Sequence, residues 1–239
     1  MSNGARVNFT SNYEAGKEGY RMKPILFNGD MVRAILEERK TVTRRVIKPQ
    51  PEYCTMSKAG LVVSEKPIEI SDGIIKAANA EVRKPPFEAG DILYVRETWT
   101  PGLNGSYVYK ASVECPDAWK GSWRPSIHMP KEAARLFLRV ADVRVERLQK
   151  ITIDDARKEG VARENVRAGG CTCAWATEGC MDEPCSNRDA YDWLCWVTPF
   201  QRLWDSTIKS ADRALYGFEA NPWVWVIEFE QCERKEEGL

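Results

Sequence analysis

The chain carries a single histidine among 239 residues, and nowhere do 18 apolar residues run together. The first scarcity leaves little room for imidazole chemistry, and the second offers no candidate transmembrane helix. Net charge is absent too. Lys plus Arg and Asp plus Glu each number 35, so no global basic field marks a nucleic-acid binder and any electrostatic footprint must be local. No phosphate-binding glycine loop, dinucleotide fingerprint, zinc-protease motif or nucleophile elbow occurs, which removes the commonest cofactor-dependent classes. No internal repeat is visible. The polar stretch 1–21 lacks the continuous apolar segment of a secretion signal, so a cytoplasmic location is expected.

What is present is material for one core: 43% of the residues are hydrophobic, enough for a substantial domain with a small appended part. Eight cysteines in a reducing compartment read as buried thiols or metal ligands before disulfides. The expected organisation is a flexible tail at 1–21, a single domain over 22–232 with insertions at about 50–86 and 161–198, and a short tail at 233–239.

Pro24 to Phe27 reads as a strand leading to Asn28 or Asp30, either of which caps a helix carrying Met31, Val32, Ile35 and Leu36. Prolines at 49, 51, 67, 85 and 86 make the next stretch read as an irregular excursion, with a weak strand signal at Gly60 to Ser64. Ile92 to Trp99 and Tyr107 to Lys110 read as neighbouring antiparallel strands. Leu136 to Leu148 alternates apolar and polar residues with one slip near Ala141-Asp142, where a bulge is expected. Thr152 caps a short acidic helix that Gly160 ends, an aromatic helix surrounds Phe200 to Trp204, and a last strand runs from Trp223 to Glu230. Short strands with few helices predict an α+β fold, a small mixed or antiparallel barrel with flanking short helices and a Cys-rich insertion, over a doubly wound sheet.

The segments MKPILFNGDMVRAILEERKTVTRRVIKP, GDILYVRETW, WRPSIHMPKEAARLFLRVADVRVERLQKIT and NPWVWVIEFE resemble, in order and over about a third of the chain, the ASCH-domain proteins of phages and prophages. The resemblance implies a PUA-like fold with a cleft that takes RNA or a modified nucleoside. Some small bacterial members remove the acetyl group from N(4)-acetylcytidine. In their motif G-R-K-T-x-T-x-R the Lys and the second Thr are catalytic, and Lys40 and Thr43 match that pair, with Glu38 where the family often has Gly. Their later pattern L-x-x-L-T-x-x-x-A-x-x-E falls on Leu148, Ile151, Thr152, Ala156 and Glu159, which makes Glu159 the implied third member.

These residue types suit the chemistry independently. A Thr hydroxyl becomes a nucleophile when a base takes its proton, and a partly buried Lys does that. Glu159 would orient Lys40 or pass a proton to the leaving amine, while Arg44, Arg45 or backbone NH groups near the helix end would hold an oxyanion. Residues 23–50 carry a local excess of four positive charges, so the run from Arg39 to Arg45 also reads as a phosphate-contacting face or as plain solvated surface. Arg39, Arg44, Arg45, Trp99, Trp123, Ser126 and His128 are the candidate substrate-binding residues: Trp99 or Trp123 would stack on a base and Ser126 would read its edge. Packing is the competing reading for the tryptophans, and a structural role for His128. The expected partner is a nucleoside or single-stranded RNA or DNA. An N-acyl amidohydrolase, a non-catalytic nucleic-acid module and a ribonuclease all need such a basic, aromatic-walled cleft.

Cys171, Cys173, Cys180 and Cys185 form C-x-C-x6-C-x4-C in a polar insertion. Four thiolates would hold a structural zinc, although the paired C-x-x-C of common zinc knuckles is missing and free thiols are the alternative. No cofactor is otherwise expected. Cys54, Cys115, Cys195 and Cys232 are scattered and read as core or incidental residues.

Overall fold

Asn28 sets the first corner of the fold. In the computed structural model, which describes residues 22–57, 60–71, 74–76, 80–114, 121–163 and 188–234, its side chain accepts from the Met31 amide at 2.9 Å and so starts helix α1 (Gly29–Leu36) directly after strand β1 (Lys23–Leu26). Val32, Ala34 and Ile35 point this helix into the core, the face their spacing selects. Strand β2 (Val42–Val46) follows.

The stretch read as irregular in sequence holds five short strands: β3 (Tyr53–Ser57), β4 (Gly60–Ser64), β5 (Glu69–Ser71), β6 (Ile74–Lys76) and β7 (Glu81–Arg83). β4 is central in the sheet β3-β4-β7, and β5 pairs with β6. Prolines lie outside these strands, so they punctuate them without breaking them. Gly60, at φ 129°, lets β4 approach β7 so closely that a Cβ there would stand 2.8 Å from the Arg83 carbonyl oxygen.

Next come β8 (Ile92–Arg96), β9 (Trp99–Pro101), β10 (Tyr107–Tyr109) and the long β11 (Phe137–Arg147). β10 pairs antiparallel with β9 and not with the strand at 92–96, whose two sides are taken by β1, in parallel, and by β11. β11 carries its register shift between Val140 and Asp142, where the alternation slips. Helix α2 (Ile153–Lys158) opens with a capping box between Thr152 and Asp155, which satisfies orphan amides reciprocally. Helices α3 (Arg188–Thr207) and α4 (Arg213–Tyr216) and strand β12 (Trp223–Cys232) end the described chain.

The fold is α+β with mostly antiparallel sheets and few helices. Its central sheet runs β1-β8-β11-β12-β2. It does not close, and this corrects the expected barrel: no ladder joins edge strands β1 and β2. One side chain spans the gap instead, Arg45 Nη2 donating to the Leu26 carbonyl at 2.7 Å. Among the described strands β1 pairs only with β8 and β2 only with β12, so a guanidinium and not backbone pairing joins the two edges. β12 alternates between two cores. Trp225, Ile227 and Phe229 join Ile25, Phe27 and Leu93 on one face, while Val224 and Val226 join Val42, Leu148, Phe200 and Trp204 beneath α2 and α3 on the other.

Candidate functional site

Lys40 and Arg45 of the basic run stand at the gap between β1 and β2. α1 ends at Leu36, and Glu38 adopts a left-handed φ of 58°, turning the chain so that the amides of Arg39 and Lys40 both donate to the Ala34 carbonyl, at 2.8 and 3.0 Å. Lys40 then meets Glu159 in an isolated antiparallel bridge, and the Thr41 amide donates to the Lys158 carbonyl at 2.9 Å. Gly160 makes this approach feasible: it has φ 84°, and a Cβ there would lie 2.7 Å from Ala34 Cβ and 2.8 Å from Lys40 Cβ, closer than carbon atoms pack.

The Phe229 amide donates to the Thr41 carbonyl, so the Val42 carbonyl, one residue on, faces the unpaired edge of β2. Lys40 Nζ donates to that carbonyl at 2.7 Å, to the Glu159 carbonyl at 2.9 Å and to Glu159 Oε2 at 2.7 Å. All three protons of the ammonium thus have acceptors. Both residues are buried, Lys40 2% and Glu159 3% exposed. Burial holds Lys40 below the ordinary lysine value; Glu159 opposes that fall by its charge and hydrogen bond, and Arg45 and Arg44 add to it.

Alternation along β2 separates the next residues. Thr43 and Arg45 share the face of their cross-strand partners Ile227 and Trp225, and Phe27 lies under this side: its ring centroid is 5.4 Å from the Arg45 guanidinium and 5.6 Å from Lys40 Nζ. Thr43 is buried. Arg45 is partly exposed, and burial of its guanidinium pushes its pKa below the ordinary value, against the attraction of Glu159. Arg44 takes the other face and is itself buried. Its Nη1 donates to Glu159 Oε1 at 3.1 Å, and its Nη2 lies 3.4 Å from Asp155 and 3.7 Å from Glu146. Burial alone would raise Asp155, but Arg44 and the Thr152 hydrogen bonds outweigh it and hold that carboxyl below the ordinary range. Arg39 stays exposed, bonded to Glu37 and to the Gly160 carbonyl.

Lys40, Arg44 and Glu159 therefore meet directly, with Thr43 and Arg45 on the adjoining face. The aromatic candidates stand further along the same sheet end. Arg96 lies opposite Leu26 in the β1–β8 register and donates from Nε to the Met129 carbonyl at 2.9 Å and from Nη2 to that of Ile127. This ties the turn Ser126–His128 to the strand end whose Leu26 carbonyl Arg45 holds. His128 is exposed and Ser126 and Trp123 half-buried. Trp99 is buried; the Arg124 guanidinium lies 5.2 Å above its ring, and Tyr107 meets it edge-on at 5.5 Å.

Sequence reading overlooked Asp155, Glu146, Arg144 and Phe27. Asp155 had a signal, the Thr-x-x-Asp capping box, but its second role beside Arg44 had none. Arg144 joins Glu146 at 2.6 Å and also pairs with Glu228, continuing the network along β11 and β12. Cys171, Cys173, Cys180 and Cys185 lie outside the described residues. Cys195 is buried, and Cys54 is half-buried, its thiol pushed up to about 11 chiefly by burial. No helix among the described residues is long and apolar enough to cross a membrane. Comparison with protein-family models, with curated proteins and with solved structures finds no match in any of the three.

Proposed function

We propose that the chain is an ASCH-type, PUA-like protein that takes a nucleobase at the gap between β1 and β2 and hydrolyses an acyl group from its exocyclic amine. The observation that carries this reading is the buried contact of Lys40 with Glu159, 119 residues apart in sequence, at the open strand edge next to Thr43. Lys40 passes a proton to Glu159 Oε2 and becomes a neutral amine, a change that burial favours. It then takes the Thr43 hydroxyl proton as Oγ1 attacks the acyl carbon. Protonated Glu159 gives its proton to the departing amine as the carbon–nitrogen bond breaks. A water molecule, deprotonated by the same route, hydrolyses the acyl-Thr43 ester, and Glu159 returns the proton to Oγ1. The Arg45 guanidinium stabilises the oxyanion. The exposed Arg124 guanidinium, backed by Trp99, offers the base a flat surface, and Ser126 and His128 stand at its edge.

A second reading is a non-catalytic binding module for single-stranded nucleic acid. It is favoured by the three acceptors already engaged by Lys40, which suit a held ammonium. Offering N(4)-acetylcytidine, single-stranded RNA and single-stranded DNA to the purified protein, with chromatographic separation of products, distinguishes deacetylation, chain scission and retention. Under the catalytic reading Thr43→Val lowers turnover by roughly 100-fold or more with ligand affinity almost unchanged. Full activity in Thr43→Val removes Thr43 as nucleophile.

A further inference from the structure

Arg44 occupies an apolar row. Val42 and Val46 flank it on the same strand face, Val226 is its cross-strand partner, and its guanidinium carbon lies 6.0 Å from the centroid of the Phe200 ring. Among the described residues only Nη1 finds a hydrogen-bond acceptor; Nε and Nη2 are buried without one. A buried guanidinium with two idle nitrogens is a costly filler where an aliphatic side chain would serve. Its contacts with charge are specific, however. It takes Glu159 Oε1 while Lys40 takes Oε2, so two cations share one carboxylate.

We propose that Arg44 is a positioning residue for the Lys40–Glu159 pair: by holding Oε1 it turns Oε2 to Lys40 and leaves that ammonium only a share of one negative charge, so that Lys40 gives up its proton readily. The inference rests on the hydrolytic reading of the site. The motif that aligns Lys40, Thr43 and Arg45 leaves position 44 open, so the resemblance assigns Arg44 no part in the reaction. The charged groups around the pair are Lys40 ahead of β2, Arg44 and Arg45 on β2, Asp155 and Glu159 of the α2 segment, Arg144 and Glu146 on β11, and Glu228 on β12. Removing Arg44 gives Glu159 wholly to Lys40 and also removes a like charge beside it. Both changes favour the ammonium.

The test uses the full chain labelled with lysine carrying ¹³C at the ε carbon, the Lys40 resonance being identified by its loss in Lys40→Met. In Arg44→Met the Lys40 titration midpoint moves up relative to wild type. Arg44→Lys, which keeps the charge but cannot reproduce the planar donor, gives an intermediate midpoint. In the deacetylase assay the falling limb of kcat/KM against pH, where the pair loses the proton that Glu159 hands to the amine, moves in the same direction, and activity at neutral pH falls roughly tenfold or more because less of the neutral-amine form exists. A midpoint unchanged or lowered in the folded variants overturns the proposal. Should Arg44→Met not fold, Arg44→Lys decides alone: a rise supports positioning, and no rise supports packing. A wild-type protein without hydrolase activity refutes the functional reading and leaves the midpoints to decide what Arg44 does to Lys40.

Discussion

Among the described residues two carboxylates are buried, and their partners differ in number. Glu97, just beyond β8, is 1% exposed and gives both oxygens to one Arg135, at 2.8 and 3.0 Å. The third Arg135 nitrogen donates to Ser112 Oγ at 2.7 Å, and the guanidinium stacks 4.1 Å from the Tyr109 ring centroid. That pair is balanced, one charge to one, with every nitrogen bonded. Glu159 instead serves Lys40 and Arg44 together, and among the described residues two Arg44 nitrogens lack a hydrogen bond, Nη2 facing Asp155 and Glu146 only at 3.4 and 3.7 Å. A balanced pair resists proton movement and ties strand and loop together; a carboxylate shared by two cations gives each only part of its charge, and a buried lysine so placed is the kind that performs chemistry.

The largest expected effect breaks the overcommitted side. Glu159→Gln leaves Lys40 and Arg44 buried without their shared carboxylate, and the predicted loss is about 3 to 5 kcal/mol in urea-induced unfolding, together with loss of any hydrolase activity. A loss under about 1 kcal/mol would mean that nearby Asp155 and Glu146 already balance the cations. Gly160→Ala comes next: it places a Cβ against Ala34 and Lys40 at a positive φ and is expected to cost about 2 to 4 kcal/mol. Gly90, at φ 92° with nothing near its Cβ position, is the control. Gly90→Ala should cost about 1 to 2 kcal/mol, and equal losses at the two glycines would show that the contact with Lys40 carries no weight.

Breaking the balanced pair should cost less. Arg135 is 27% exposed on its side chain and can turn to water, so Glu97→Gln is predicted to lose about 1 to 2 kcal/mol. A loss as large as that of Glu159→Gln would erase the distinction between the two sites. The smallest effect lies in pH dependence. Because Lys40 is held below its ordinary value of 10.5, the folded chain binds fewer protons than the unfolded chain between the two values. Stability from Lys40 therefore rises with pH across that window and is lost as pH falls through the folded value. The stability of wild type relative to Lys40→Met should climb as pH is raised toward 10.5, and a flat or falling difference would place Lys40 in a more aqueous setting than its burial implies.

Much of the local structure was legible. The Thr152 cap, the Gly160 stop and the bulge after Val140 all follow from residues within one turn or one strand of the feature they create, while of the two caps open for α1, Asn28 and Asp30, the fold takes Asn28. Of the strands between 53 and 83 only β4 was signalled, at Gly60 to Ser64; the others were not, because three- to five-residue strands between prolines carry too little period to separate them from loop. The pairing of β10 with β9 escaped for a different reason. Alternation tells a strand which face is buried but not which neighbour has space, and β8 had already given both sides to β1 and β11. At the candidate site, Lys40, Thr43 and Glu159 were selected by resemblance of their surroundings to a family motif, whereas Asp155, Glu146 and Arg144 had no signal pointing to Arg44.

Amino-acid order alone thus settled the Thr152 cap, the Gly160 stop, the bulge, the apolar face of α1 and the mixed α+β class, since each depends on patterns a few residues long. The open edge between β1 and β2, the Arg45 side chain that spans it, and the sharing of Glu159 between Lys40 and Arg44 were decided only by the folded chain. Those contacts join residues 19, 119 and 115 positions apart, and nothing in a local stretch encodes which distant charge will be buried beside it, because that choice is made by the packing of β2 against α2 and by the removal of water from the space between them.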